Sequence, residues 1–243
     1  MLALAIAPSA FSQEPPISAD IYARFDNEHD YAKKEGLLRQ ITDDSLNAGP
    51  TLLHLAEHTR NLDTRWMAMR GLATVHYQPC AKFLEASLTD TDATVRANAA
   101  RALADLRITA AGPQIQAMFA AEKDPGAIEQ ASLALNLLDV RAAVPDIRTK
   151  IPQYPGQTRA WLLQALGALG NSTDVPLVAG YLNGSDMAGA MAAAEALAEL
   201  TGISFGPPPN GPFGYPPADL RAAREWWKSH EPLWPRCDDC DYK

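Results

Sequence analysis

"DTDATVRANAARALADL", residues 90–106, is the stretch on which the fold turns. Within it Ala99, Leu103 and Leu106 follow one another at spacings of four and three. Those spacings place the trio on one face of a helix, with a small residue where a neighbouring helix must come close. Asp92 stands just ahead of the run, where a carboxylate can cap free N–H groups and meet the positive end of the helix dipole.

Working outward, the same pattern returns. Leu72, Leu103, Leu135, Leu166 and Leu197 are spaced by 31, 32, 31 and 31 residues. Three positions later stand Val75, Leu106, Leu138, Leu169 and Leu200, and four positions earlier stand Ala68, Ala99, Ala131, Leu162 and Ala193. A second set keeps the period: Leu84, Ile115, Ile147 and Val178, followed four residues later by Leu88, Phe119, Ile151 and Leu182. Each period is therefore two short helices. Pro113, Pro145 and Pro176 recur at the start of the second helix, where a missing N–H costs nothing. Asp92, Asp124 and Asp186 recur before the first. Helix pairs of this length cannot bury their apolar faces alone, so they must stack.

The strings "DTDATVRANAARALADL", "AAVPDIRTKI" and "DVPLVAGYL" resemble the HEAT-like repeats of the phycobilisome-lyase type, over about residues 50–202. The resemblance implies an all-α, right-handed solenoid of about five helix pairs, of the kind found in exported bacterial proteins. It also implies that Arg65, Arg96 and Arg159, which share one column, bond to acidic residues at repeat junctions. Ile128 and Ala190 interrupt that column. The architecture puts the second helices on the concave side, where Glu85, Gln116 and Arg148 fall as polar positions for a partner. Trp66 and Trp161 follow the column arginines and read as packing between repeats.

The ends divide around residues 49–202. Residues 1–12, MLALAIAPSAFS, are apolar and uncharged, and Ala10 and Ser12 supply the small residues that signal peptidase accepts, so the expected location is periplasmic or secreted. Residues 13–48 read as a charged N-terminal cap, with "DIYARFDNEHDYAKKEGLLRQITDD" as one helix that packs through Leu37, Leu38 and Ile41. Residues 203–217 form a Pro/Gly-rich linker that cannot be helical. Residues 218–243 carry a capping helix with Trp226 and Trp227, then a C-x-x-C tail. In an exported chain Cys237 and Cys240 most simply close a local disulfide. A metal site there would need two more ligands, and Asp238, Asp239 and Asp241 disfavour a reactive thiolate. No apolar run reaches the ~18 to 20 residues that cross a bilayer.

The chemical motifs are few. His54-Leu-Ala-Glu57-His58 fits the H-x-x-E-H spacing of a zinc peptidase. That reading needs a further carboxylate ligand farther along, for which Glu122 and Glu129 stand as candidates in a different repeat. The repeat register opposes it, because the sister positions of His54 carry no histidine. A one-residue slip sets Ala56, not Glu57, in the column of Leu88 and Phe119, which predicts Ala56 inside and Glu57 at the surface. The His-Glu dipeptides through which the HEAT-like deoxyhypusine hydroxylase holds two irons are also lacking from the repeats, since the single His-Glu, His230-Glu231, lies outside them. No cofactor is assigned.

Composition narrows the partner. With 21 basic against 29 acidic residues the net charge is −8, so the cationic surface that dominates nucleic-acid affinity is missing. The expected function is a non-enzymatic scaffold of the cell envelope that binds a protein or peptide. The alternative is a metal-dependent hydrolase built on His54, Glu57 and His58.

Overall fold

The computed structural model describes residues 19–43, 47–206 and 219–234. The signal-like segment, most of the Pro/Gly stretch and the Cys237/Cys240 pair lie outside them. Thirteen α-helices occur among the described residues, and no strand does. The chain is an all-α solenoid. It falls into two compact units, residues up to His76 and from Tyr77 onward.

The first unit holds α1 (Ala19–Asn27), α2 (Tyr31–Asp43), α3 (Ala48–His58) and α4 (Leu62–Thr74). The single charged N-terminal helix expected above is instead two, broken at Glu28–Asp30. There the Glu28 carboxylate accepts the N–H groups of His29 and Asp30, and Asp30 accepts the N–H of Lys33 at 2.9 Å. Such local carboxylate bonds end one helix and cap the next. Leu37, Leu38 and Ile41 are buried as expected, together with Phe25. In α3, Leu52 and Ala56 are fully buried, whereas His54, Glu57 and His58 are exposed, as the slipped register requires.

The second unit holds α5 (Ala81–Ser87), α6 (Ala93–Asp105), α7 (Gly112–Ala121), α8 (Pro125–Leu137), α9 (Val144–Lys150), α10 (Gln157–Leu169), α11 (Val175–Ala179), α12 (Met187–Thr201) and α13 (Leu220–His230). Helices α6, α8, α10 and α12 pack side by side as one layer, and α5, α7, α9 and α11 cover it. Packing groups each short helix with the longer one that follows it: α5 with α6, α7 with α8, α9 with α10, and α11 with α12. The sequence frame of a long helix followed by a short one is thus displaced by one helix. In the first unit α3 packs on α4 in the same manner.

Alanine sets the spacing of the long layer. Ala99, Ala131 and Ala193 are fully buried between neighbouring helices, as are the column leucines Leu103, Leu135, Leu166 and Leu197. At Gly167 a Cβ would stand 2.7 Å from the Ala196 Cα, so α10 and α12 meet backbone to backbone. Asp92, Asp124 and Asp186 cap α6, α8 and α12, and Asn61 caps α4 at the equivalent place.

The far ends of α6 and α8 share one device. Arg107 and Asp139 adopt left-handed φ values of 57° and 52°, and the N–H of Ile108 and of Val140 reaches back to Leu103 and Leu135 at 2.9 Å. This closes orphan carbonyls as glycine commonly does. Carbonyls still open are met from the preceding repeat: Gln78 donates to Leu106 O at 3.0 Å, Arg107 to Leu137 O at 2.7 Å, and Arg141 to Leu169 O at 3.3 Å.

Candidate functional site

The covering helices stand apart, and spaces between them form recesses in the second unit. Between α5 and α7 lies a groove of about 510 Å³. Leu88, Ala117, Met118 and Ala121 give it apolar walls, Glu85 and Gln114 contribute polar groups, and Arg96 with Glu122 also lines it. A smaller recess of about 190 Å³ lies between α7 and α9, lined by Lys123, Asp146, Lys150 and Tyr154 among others.

The Arg96–Glu122 pair is held from several sides. Arg96 donates from Nε and Nη2 to the two Glu122 oxygens at 2.7 and 2.9 Å, and from Nη1 to the Asp90 carbonyl at 2.8 Å. Glu122 also accepts the N–H groups of Lys123 and Asp124. Burial opposes its charge, for the residue is 6% exposed, but the guanidinium and the two N–H groups outweigh burial and hold the carboxyl down at about 2. The Arg159 guanidinium bonds to Asp186 at 2.9 Å. The N–H groups of Gly156 and Gly189 lower the Asp186 carboxyl further than Arg159 does. Arg65 donates to the Thr59 carbonyl at 3.2 Å. Where Ile128 interrupts the arginine column, Lys150 makes the tie from the other layer, with Nζ 2.8 Å from the Glu122 carbonyl and over the Phe119 ring.

Of the three polar positions assigned to a partner, the structure keeps one unengaged. Glu85 is half-buried in the groove wall, and its carboxylate makes no hydrogen bond or ion pair among the described residues. Gln116 donates to Ala142 O at 2.9 Å and to Asp146 at 3.2 Å. Arg148 forks onto Asp174 at 2.5 and 3.1 Å, and Asp174 is 2% exposed. Gln116 and Arg148 therefore act between repeats.

Sequence reasoning overlooked the acceptors. Glu122 and Glu129 entered as distant metal ligands; Glu122 instead pairs with Arg96, and Glu129 accepts the Thr158 hydroxyl at 2.8 Å. A sign was available in the acid two residues before the cap, Asp90 before Asp92 and Glu122 before Asp124. Each bonds the N–H of its cap residue, at 2.8 and 3.0 Å. Asp174 gave a fainter one, because it replaces the alanine that precedes Val-Pro in the repeat before.

The H-x-x-E-H stretch sits on the outer face of α3 in the first unit. The rings of His54 and His58 stack with centroids 4.3 Å apart, and no cluster of three or more His, Cys, Asp or Glu side chains placed to hold a metal occurs among the described residues. At the other end Trp226 stacks on His230 at 4.5 Å and meets Phe205 edge-on at 5.6 Å, while Arg224 donates to Leu182 O at 2.8 Å. Trp227 lies 6.3 Å from Trp226 on the same helix, and α13 packs against α12. Cys80 is fully buried, its thiol pushed up to about 11 by that burial.

Comparison with known proteins adds the following. A family profile for HEAT repeats matches residues 49–136. Among solved structures the chain is similar to the complex of CpcE and CpcF of phycocyanin lyase from Nostoc sp. PCC7120, with a TM-score of 0.53 and 16% identity, over 80% of this chain and 81% of that one. No curated protein sequence matches. No helix among the described residues is long and apolar enough to cross a membrane.

Proposed function

We propose that this chain, a HEAT-like repeat protein, is a non-enzymatic scaffold of the bacterial cell envelope that binds a protein segment in the groove between α5 and α7. The observation that carries the reading is the groove itself, an apolar recess with one unengaged carboxylate, Glu85, in its wall. A repeat stack leaves such recesses because each covering helix touches its own partner more closely than it touches the next covering helix. Arg96 and Glu122 neutralise each other, so Glu85 sets the charge preference. The occupant that fits is a segment with one large apolar side chain for the Leu88 and Met118 walls and an adjacent lysine or arginine for Glu85. The structural neighbour is a part of a two-protein complex, in keeping with a fold used for association. No chemistry follows from that likeness. The envelope part rests on the apolar N-terminal segment.

Selection of a displayed peptide library against the folded protein tests this reading. Peptides with a large apolar residue next to a basic one are expected to dominate. Ala117→Asp, an exposed wall position, should abolish their binding, and Glu85→Lys should shift selection toward acidic neighbours. Equal binding by both variants would overturn the groove assignment. Fractionation of producing cells tests the location, and recovery in the cytosol alone would overturn export.

A further inference from the structure

We propose that the exposed His54–His58 pair of α3 is a two-imidazole chelate for a late first-row divalent cation, with copper(II) bound most tightly. The residues lie four apart on one helix face, and their rings are 29° from parallel with centroids 4.3 Å apart. Metal–imidazole bonds run ~2.0 to 2.1 Å, so one ion can bridge nitrogens up to ~4 Å apart. A centroid separation of 4.3 Å is compatible with that reach once the side chains turn so that their nitrogens converge.

The hydrogen bonding favours the same use. His58 Nδ1 lies 2.9 Å from the His54 carbonyl oxygen. A carbonyl only accepts, so Nδ1 carries the hydrogen and Nε2 keeps its lone pair for a ligand. Imidazoles that ligate metals are commonly held in this way, with the second ring nitrogen donating to a carbonyl or carboxylate. The His54 ring makes no hydrogen bond among the described residues, which leaves a nitrogen open on that side too. The helix backbone sets both side chains on one face and the His54 carbonyl holds the His58 ring, so part of the ordering is done before the ion arrives.

Two nitrogens with water completing the shell suit copper(II) and nickel(II), and copper(II) leads the general affinity order. A closed zinc site wants four protein ligands, so zinc should bind more weakly. The net charge of −8 attracts any of these cations. This chelate needs no cleft, no third protein ligand and no peptidase chemistry, and shares no residue with the groove between α5 and α7.

The full chain, stripped of metal by dialysis, is titrated with copper(II), nickel(II) and zinc(II) chlorides. Bound metal is read by equilibrium dialysis, and the copper ligands by electron paramagnetic resonance. One copper event is expected, with imidazole nitrogen couplings and tighter binding than for nickel or zinc. His54→Gln and His58→Ala should each weaken it about tenfold or more while leaving the helical spectrum unchanged, since both side chains are exposed. Copper should raise the melting temperature of the parent chain and of neither variant. Unchanged copper affinity in either variant, or imidazole couplings that persist in the double variant, would overturn the assignment and place the ion on another histidine, such as His29 or His76.

Discussion

Glu122 concentrates the electrostatics of the second unit in one side chain. Its carboxyl lies at about 2 in the folded chain against an ordinary 4.5. A carboxyl held below its unfolded value stabilises the fold above that value and loses the contribution as pH falls through the folded one. The difference corresponds to about 3 kcal/mol at neutral pH. Glu122→Gln should therefore lower stability to urea by roughly that amount at pH 7, and the gap from the parent chain should close between about pH 4.5 and pH 2. A gap independent of pH would mean that the residue acts through packing alone. Asp139 presents the opposite case. It holds a left-handed φ of 52°, and its pair with Arg141 is largely exposed, at 68% and 62%. Relief of ~1 to 2 kcal/mol of backbone strain outweighs the ~0.4 to 1 kcal/mol of extra freedom that glycine gives the unfolded chain. Asp139→Gly should raise the melting temperature slightly, whereas Arg107→Gly would also lose the bond to Leu137.

The long helices were legible in the sequence because alanine and leucine columns follow directly from helical spacing. Asp92, Asp124 and Asp186 marked their starts, and Pro113, Pro145 and Pro176 marked the starts of the covering helices. What the spacing could not show was which neighbour each short helix packs against, because period alone is indifferent to where a unit begins. The N-terminal break escaped for a related reason. Glu28, His29 and Asp30 suit a helix surface by composition, and only the side-chain-to-backbone bonds they make end it. The groove was half legible: Glu85 was singled out, but Gln116 and Arg148 were set beside it as positions for a partner when their acceptors lie within the chain, about one period ahead. Helix contact also yields a prediction. At Gly167 an added methyl meets the Ala196 backbone, which cannot rotate away. Gly167→Ala gains up to ~1 kcal/mol of helix propensity and loses ~1 to 3 kcal/mol to overpacking, so denaturation should show net destabilisation.

A stack of repeats is stabilised mainly by contacts between neighbours, so its ends are its weakest places. Phe205, Trp226, His230 and Trp234 gather at the C-terminal end of the second unit and hold α13 on the last repeat. Trp226→Ala should speed amide exchange first in α12 and α11 and least in α6. Equal acceleration along the whole unit would show that it opens all at once. A direction also runs through the bonds that join repeats. Gln78, Arg107 and Arg141 each give a hydrogen to a carbonyl 28 to 30 positions later, and Arg96, Arg148 and Arg159 reach carboxylates 26 or 27 positions later. In these six bonds the donor is made before its acceptor, whereas Lys150 and Thr158 reach back to acceptors already made. Each new helix leaves the ribosome to find the group that will complete it already in place, so the chain can build this unit from the front as fast as it is translated.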